Sequence, residues 1–146
     1  MNCFKFPLQK VLDWRRTQLE LEEIRFRQQS AAMAELDRAS AQLNAAGQTA
    51  ERRVRDWNPV AGGELAALGS FRLHVKLKET ELARPRAECR KELGRRENVM
   101  LEARRRLRLL ERLKERRLEE WCAARDKELE DLASEAYLAK WKRRAL

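Results

Sequence analysis

The residues that could do chemistry are few. His74 is the only histidine among 146 residues, so no His-based metal cluster can be assembled within the chain. It reads as a partly exposed helix histidine. Cys3, Cys89 and Cys122 are odd in number and widely spaced, which fits neither a disulfide framework nor a zinc-binding pattern. They lack a nearby histidine base for nucleophilic catalysis. Cys89 continues the line of Leu82 and reads as a small apolar seam residue. The five glycines match neither the phosphate-cradling loop nor the dinucleotide fingerprint. Asp and Glu pairs abound, but on exposed helices nothing raises a carboxylate's pKa or excludes water. No catalytic residue, cofactor site or metal site is expected, and the chain is not expected to be an enzyme.

Basic residues are the remaining candidates. Arg104, Arg105 and Arg106, then Arg108, Arg112, Lys114, Arg116 and Arg117, form a dense run. Glu102, Glu111, Glu115, Glu119 and Glu120 are interleaved with it and can pair three or four residues away on a helix. No aromatic platform for stacked bases accompanies the run. A solvated helix face is therefore the favoured reading, ahead of an acidic protein partner and of nucleic acid. No nucleic-acid partner is expected.

The elements that must carry these residues are long helices. Apolar residues recur every seven positions through a chain that is 39% charged. Leu12, Leu19, Phe26 and Met33 fall on one line, Leu36, Leu43, Ala50 and Trp57 on another three residues on, and Leu93, Met100 and Leu107 on a third. Such a repeat keeps a narrow stripe facing a partner helix as two helices wind together. The expected fold is all-α, a long antiparallel two-helix coiled coil with a short Gly/Pro-containing connector, forming one domain over 1–146.

A first helix is expected over about 7–57, ended by Asn58-Pro59, because Pro disfavours the α conformation before it. Gly62, Gly63 and Gly69 mark a connector over about 58–70, with one short turn at Glu64 to Leu68. Ser70 then caps a second helix over about 71–144, with a kink or break near Pro85. Two long helices with a short connector fold back on one another. In the second helix, Leu107, Leu110, Lys114, Leu118, Trp121, Arg125, Leu129, Leu132 and Ala136 follow an eleven-residue repeat. The aromatics Phe4, Phe6 and Trp14 are expected to meet Trp121, Tyr137 and Trp141 at one tip, with residues 15 and 135 close together. Phe71, Val75 and Leu82 form a stripe near the connector that is either seam or exposed patch.

The net charge is +9, from 33 Lys and Arg against 24 Asp and Glu. The excess favours acidic partners without naming them. No apolar run approaches the roughly 20 residues that span a bilayer. Met1 to Asp13 lacks an uninterrupted apolar stretch and a small-residue cleavage site, so no secretory signal and no transmembrane segment is expected. A cytoplasmic home follows.

The chain resembles the flagellar export protein FliJ family. The resemblance rests on the opening Phe4-Lys5-Phe6-Pro7-Leu8-Gln9-Lys10-Val11-Leu12-Asp13-Trp14-Arg15. It rests also on the closing Leu109-Leu110-Glu111-Arg112-Leu113-Lys114-Glu115-Arg116-Arg117, followed by Glu119-Glu120-Trp121 and Glu128 to Ala136. It covers essentially the whole chain, and the aromatic-Pro-Leu-Gln start is its more specific part. Pro85 departs from the smooth coil of that family. The resemblance implies a non-enzymatic component of the flagellar type III protein export apparatus, needed for motility. It would be a stalk-like coiled coil linking the export ATPase hexamer to the cytoplasmic part of the membrane export gate and interacting with export chaperones. A stalk protein of a virulence type III secretion system, or a generic cytoplasmic coiled-coil scaffold, are the alternatives. Peripheral association at the cytoplasmic face of the inner membrane is implied.

The same resemblance suggests two contact surfaces. The ATPase-facing surface is expected where the termini meet, with Phe4, Phe6 and Leu8 giving apolar contacts and Lys140, Lys142, Arg143 and Arg144 giving charge. The gate-facing surface is expected at Phe71, Val75 and Leu82, provided that stripe is exposed.

Overall fold

The computed structural model describes residues 3–57 and 61–145. Two helices account for nearly all of them: α1, Gln9–Asp56, and α2, Gly62–Arg144. Among the described residues there is no strand. The helices pack against each other, as a two-helix hairpin requires. The Asn58-Pro59 stop lies outside the described residues, and α1 ends at Asp56 just before it.

The single domain expected from sequence resolves into two compact units, to which both helices contribute. Unit 1 comprises Met1–Leu19 with Glu102–Leu146, and unit 2 is Glu20–Leu101. Each is antiparallel. In unit 1, Phe4 meets Trp121 and Arg16 meets Glu111, so partner numbers fall as the first helix advances. In unit 2, Gln29 meets Cys89, Asp37 meets Arg86 and Glu51 meets Arg72, with the same sense.

The core of unit 1 is Phe6, Leu12 and Leu107, with Phe4, Leu19, Leu110 and Leu113 packed around it. Leu12 is fully buried. The chain enters α1 through Phe6 and Leu8, whose carbonyls accept from the Gln9 and Leu12 amides at 3.1 and 2.9 Å. Pro7 lies just before the helix, where its missing N–H costs nothing.

In unit 2 both heptad lines of α1 face inward as far as Ala50, whereas Trp57, expected to continue the second line, lies just past the helix and is exposed. Met33 is buried, while Phe26, Gln29, Leu36, Ser40, Leu43, Gly47, Ala50 and Val54 are half-buried. On α2 the matching stripe carries Val75 and Met100, both buried, with Phe71, Leu82, Arg86, Cys89 and Leu93 half-buried. Two polar residues of this narrow seam, Gln29 and Arg86, find partners across it. The Gln29 amide donates to the Cys89 carbonyl at 3.4 Å and to its Sγ at 3.2 Å. Arg86 donates twice to Asp37 Oδ1, at 2.6 and 3.1 Å, and once to Ser40 Oγ at 3.3 Å. Polar pairs at seam positions penalise slipped registers, in which they would be left unpaired.

Two expectations need correction. The connector is shorter than 58–70, because α2 begins at Gly62 and absorbs the glycines and Ser70. The start is capped by Glu64, whose carboxylate accepts from the Ala61 amide at 3.1 Å, the reach-back half of a capping box. Leu68 and Phe71 are half-buried and line a groove with Ala50 and Val54 of α1 and with Trp57 just past it, and this partial burial offsets the weak helix propensity of Gly62, Gly63 and Gly69. The second correction concerns Pro85: of the expected kink or break, the break is not present, since α2 runs through it as one helix. Pro85 and Glu81 are exposed, so the Glu81 carbonyl that loses its donor can bond water. Seam contacts at Leu82, Arg86 and Cys89 hold the helix on either side.

Candidate partner-binding surfaces

The side chains with catalytic potential are scattered. His74 and Cys3 are exposed, while Cys89 and Cys122 are half-buried free thiols. Among the described residues no three His, Cys, Asp or Glu side chains are arranged to hold a metal ion. The one buried carboxylate among them is Glu22, at a seam position of α1. One of its oxygens accepts from Arg25 at 2.7 Å, and Oε2 has no hydrogen-bond partner. No helix among the described residues is long and apolar enough to cross a membrane.

The structure separates the residues expected at one tip. Phe4 lies 6.1 Å from Trp121, ring centroid to centroid, with the planes tilted by 55°. Arg125 covers the same indole at 5.3 Å. The N-terminal segment thus meets α2 at Trp121 and not at its end. Tyr137 and Trp141 are 71% and 64% exposed. Lys140, Lys142, Arg143 and Arg144 lie a further 19 to 23 residues along α2, beginning about 30 Å beyond Trp121 at about 1.5 Å per residue. Likewise Arg16 pairs with Glu111, so residue 15 is nowhere near residue 135. Antiparallel register fixes the partner of each residue, and α1 is too short to cover 83 residues of α2.

Within unit 1 the expected apolar contacts divide. Phe6 is buried in the core and is not free for a partner, whereas Leu8 is exposed and Phe4 half-exposed. Beside them lies an open groove of about 490 Å³ lined by Phe4, Phe6, Pro7 and Gln9 and by three lysines, Lys5, Lys10 and Lys114. Spacing along the chain does not bring these lysines together. Their signal is the register: once Arg16 faces Glu111, Lys114 must lie across from the start of α1.

The stripe Phe71, Val75 and Leu82 is seam. Val75 is buried, and its Cγ1 lies 3.8 Å from where a Cβ on Gly47 would stand. Phe71 and Leu82 are half-buried. The gate-facing assignment, which depended on exposure, loses its basis. The open surface nearby is instead a groove of about 570 Å³ lined by Gly47, Gly69, Leu73 and Val75 and by the polar Asn44, Gln48, Glu51, Arg72, Lys76 and Glu79.

Set beside known proteins, the chain matches no family model, no curated protein and no solved structure.

Proposed function

We propose that this chain is a FliJ-like component of the flagellar type III export apparatus, linking the export ATPase ring to the membrane export gate and interacting with export chaperones. The observation that carries the reading is the packing of the two segments on which the resemblance rests. Phe4, Phe6 and Leu12 of the aromatic-Pro-Leu-Gln opening lie against Leu107, Leu110, Leu113 and Trp121 of the closing segment. One exposed surface results, with Phe4 and Leu8 as apolar contacts and Lys5, Lys10 and Lys114 as charge. That combination suits an acidic protein surface. We assign it to the ATPase, and ATP hydrolysis then belongs to the partner. The cytoplasm, with attachment at the inner face of the inner membrane through the gate, is the matching location.

The test is co-purification of the full chain with an export ATPase hexamer and with the cytoplasmic part of the gate, together with motility of a deletion strain. Lys5→Glu with Lys10→Glu should weaken ATPase capture at least tenfold while leaving helicity unchanged. Normal filament assembly in the deletion strain would reject the export role and favour a general cytoplasmic scaffold.

A further inference from the structure

Beyond Trp121 and Cys122, α2 runs to Arg144 with every residue exposed. The eleven-residue apolar repeat does not stop there. Leu129, Leu132 and Ala136 continue it, flanked by Ala133 and Tyr137, and none is covered by α1. Contiguous exposed apolar surface of this kind marks a contact site. What covers it is indicated by the order of charges. Asp126, Glu128, Glu130, Asp131 and Glu135 make the first half acidic against Arg125 and Lys127, and Lys140, Lys142, Arg143 and Arg144 make the second half wholly basic. Apart from Asp126, which pairs with Arg125 at 3.0 Å, none of these carboxylates and ammonium or guanidinium groups has an ion-pair partner among the described residues.

We propose that residues 129–144 pair with the same segment of a second copy of this chain, antiparallel, about a two-fold axis near Ala136 and Tyr137. In that arrangement the acidic half of each helix faces the basic half of the other, and Ala136 of each copy lies across from Tyr137 of its partner. The small Ala133 and Ala136 let the backbones approach at the axis, and one patch serves both sides, as a two-fold contact requires. A parallel pair sets acid against acid and base against base, so the charge order also selects the orientation. A lipid surface or a nucleic acid is repelled by the acidic half. The inference stands on this segment alone and is independent of the export role.

Sedimentation of the full chain in 100 mM salt should show a monomer–dimer equilibrium in the micromolar range, weakening at least tenfold in 1 M salt as the charges are screened. Two variants separate charge from stickiness. One carries Lys140→Glu, Lys142→Glu, Arg143→Glu and Arg144→Glu; the other carries Glu128→Lys, Glu130→Lys, Asp131→Lys and Glu135→Lys. Each alone should be monomeric, and a mixture of the two should form a heterodimer. The substituted residues are all exposed, so near-UV circular dichroism from the Phe4–Trp121 contact reports whether unit 1 is intact. A chain monomeric at all concentrations, with the face then left to another protein, overturns the proposal. So does a variant that still self-associates, or a mixture that does not.

Discussion

Leu12 and Glu22 show how little separates the residues that stabilise this seam from those that do not. Both sit at inward positions of α1, ten residues apart. Leu12 has no exposed surface and centres the core of unit 1, with Phe6 and Leu107. Leu12→Ala should cost about 3 kcal/mol, read as a lowered midpoint in urea with unit 1 opening first. Glu22 takes the same kind of position with a carboxylate, and Oε2 there is shut off from solvent and finds no donor. Its partner Arg25 is half-exposed and recovers its hydration if the acid is removed. Glu22→Met therefore removes a buried unsatisfied acceptor, fills a similar volume, and should raise stability by about 1 kcal/mol. A fall in melting temperature would mean that Glu22 has a role the static geometry does not reveal.

At the scale of elements, the heptad lines are legible in the sequence because a seam demands apolar residues at a fixed spacing, and Leu12, Met33, Met100 and Leu107 occupy it as read. Local signals are less reliable. Gly62, Gly63 and Gly69 look like a linker, yet they lie in α2 because Glu64 caps it and Leu68 and Phe71 find α1. Pro85 looks like a break and is not, because it falls on the solvent face. In both cases long-range packing overrides residue preference, and only the partner's position reveals it. The glycines yield a test. A Cβ at Gly69 or Gly94 would meet nothing within 4 Å. Gly69→Ala and Gly94→Ala should each stabilise the helix by about 0.5–1 kcal/mol, seen as an additive rise in thermal midpoint. The polar clamp predicts the opposite sign. Arg86→Ala removes three hydrogen bonds to Asp37 and Ser40 and should lower stability by about 1 kcal/mol. A neutral result would assign register to the apolar seam alone.

For the molecule as a whole, a net charge of +9 carried on two thin seams means that solution behaviour is governed by electrostatics as much as by burial. The candidate surfaces are the least legible part of the sequence, since they depend on which residues end up opposite each other. Pattern alone has Tyr137 and Trp141 closing the hairpin beside Phe4, and register instead leaves them bare about 25–30 Å along α2 from Trp121. That overhang has a further consequence for how the chain is handled by proteases. A helix with no tertiary partner is held only by its own hydrogen bonds, and about twenty residues of such helix open readily in water. Its Lys127, Lys140, Lys142, Arg143 and Arg144 are all trypsin sites. In dilute solution, trypsin should trim α2 back toward Trp121 within minutes, while the segment around Leu12 and Leu107 survives far longer. Amides past Cys122 should exchange with solvent deuterium orders of magnitude faster than those of Leu107 to Leu113. A first cut between Leu12 and Asp37 would mean that the paired part, and not the overhang, is where the molecule opens.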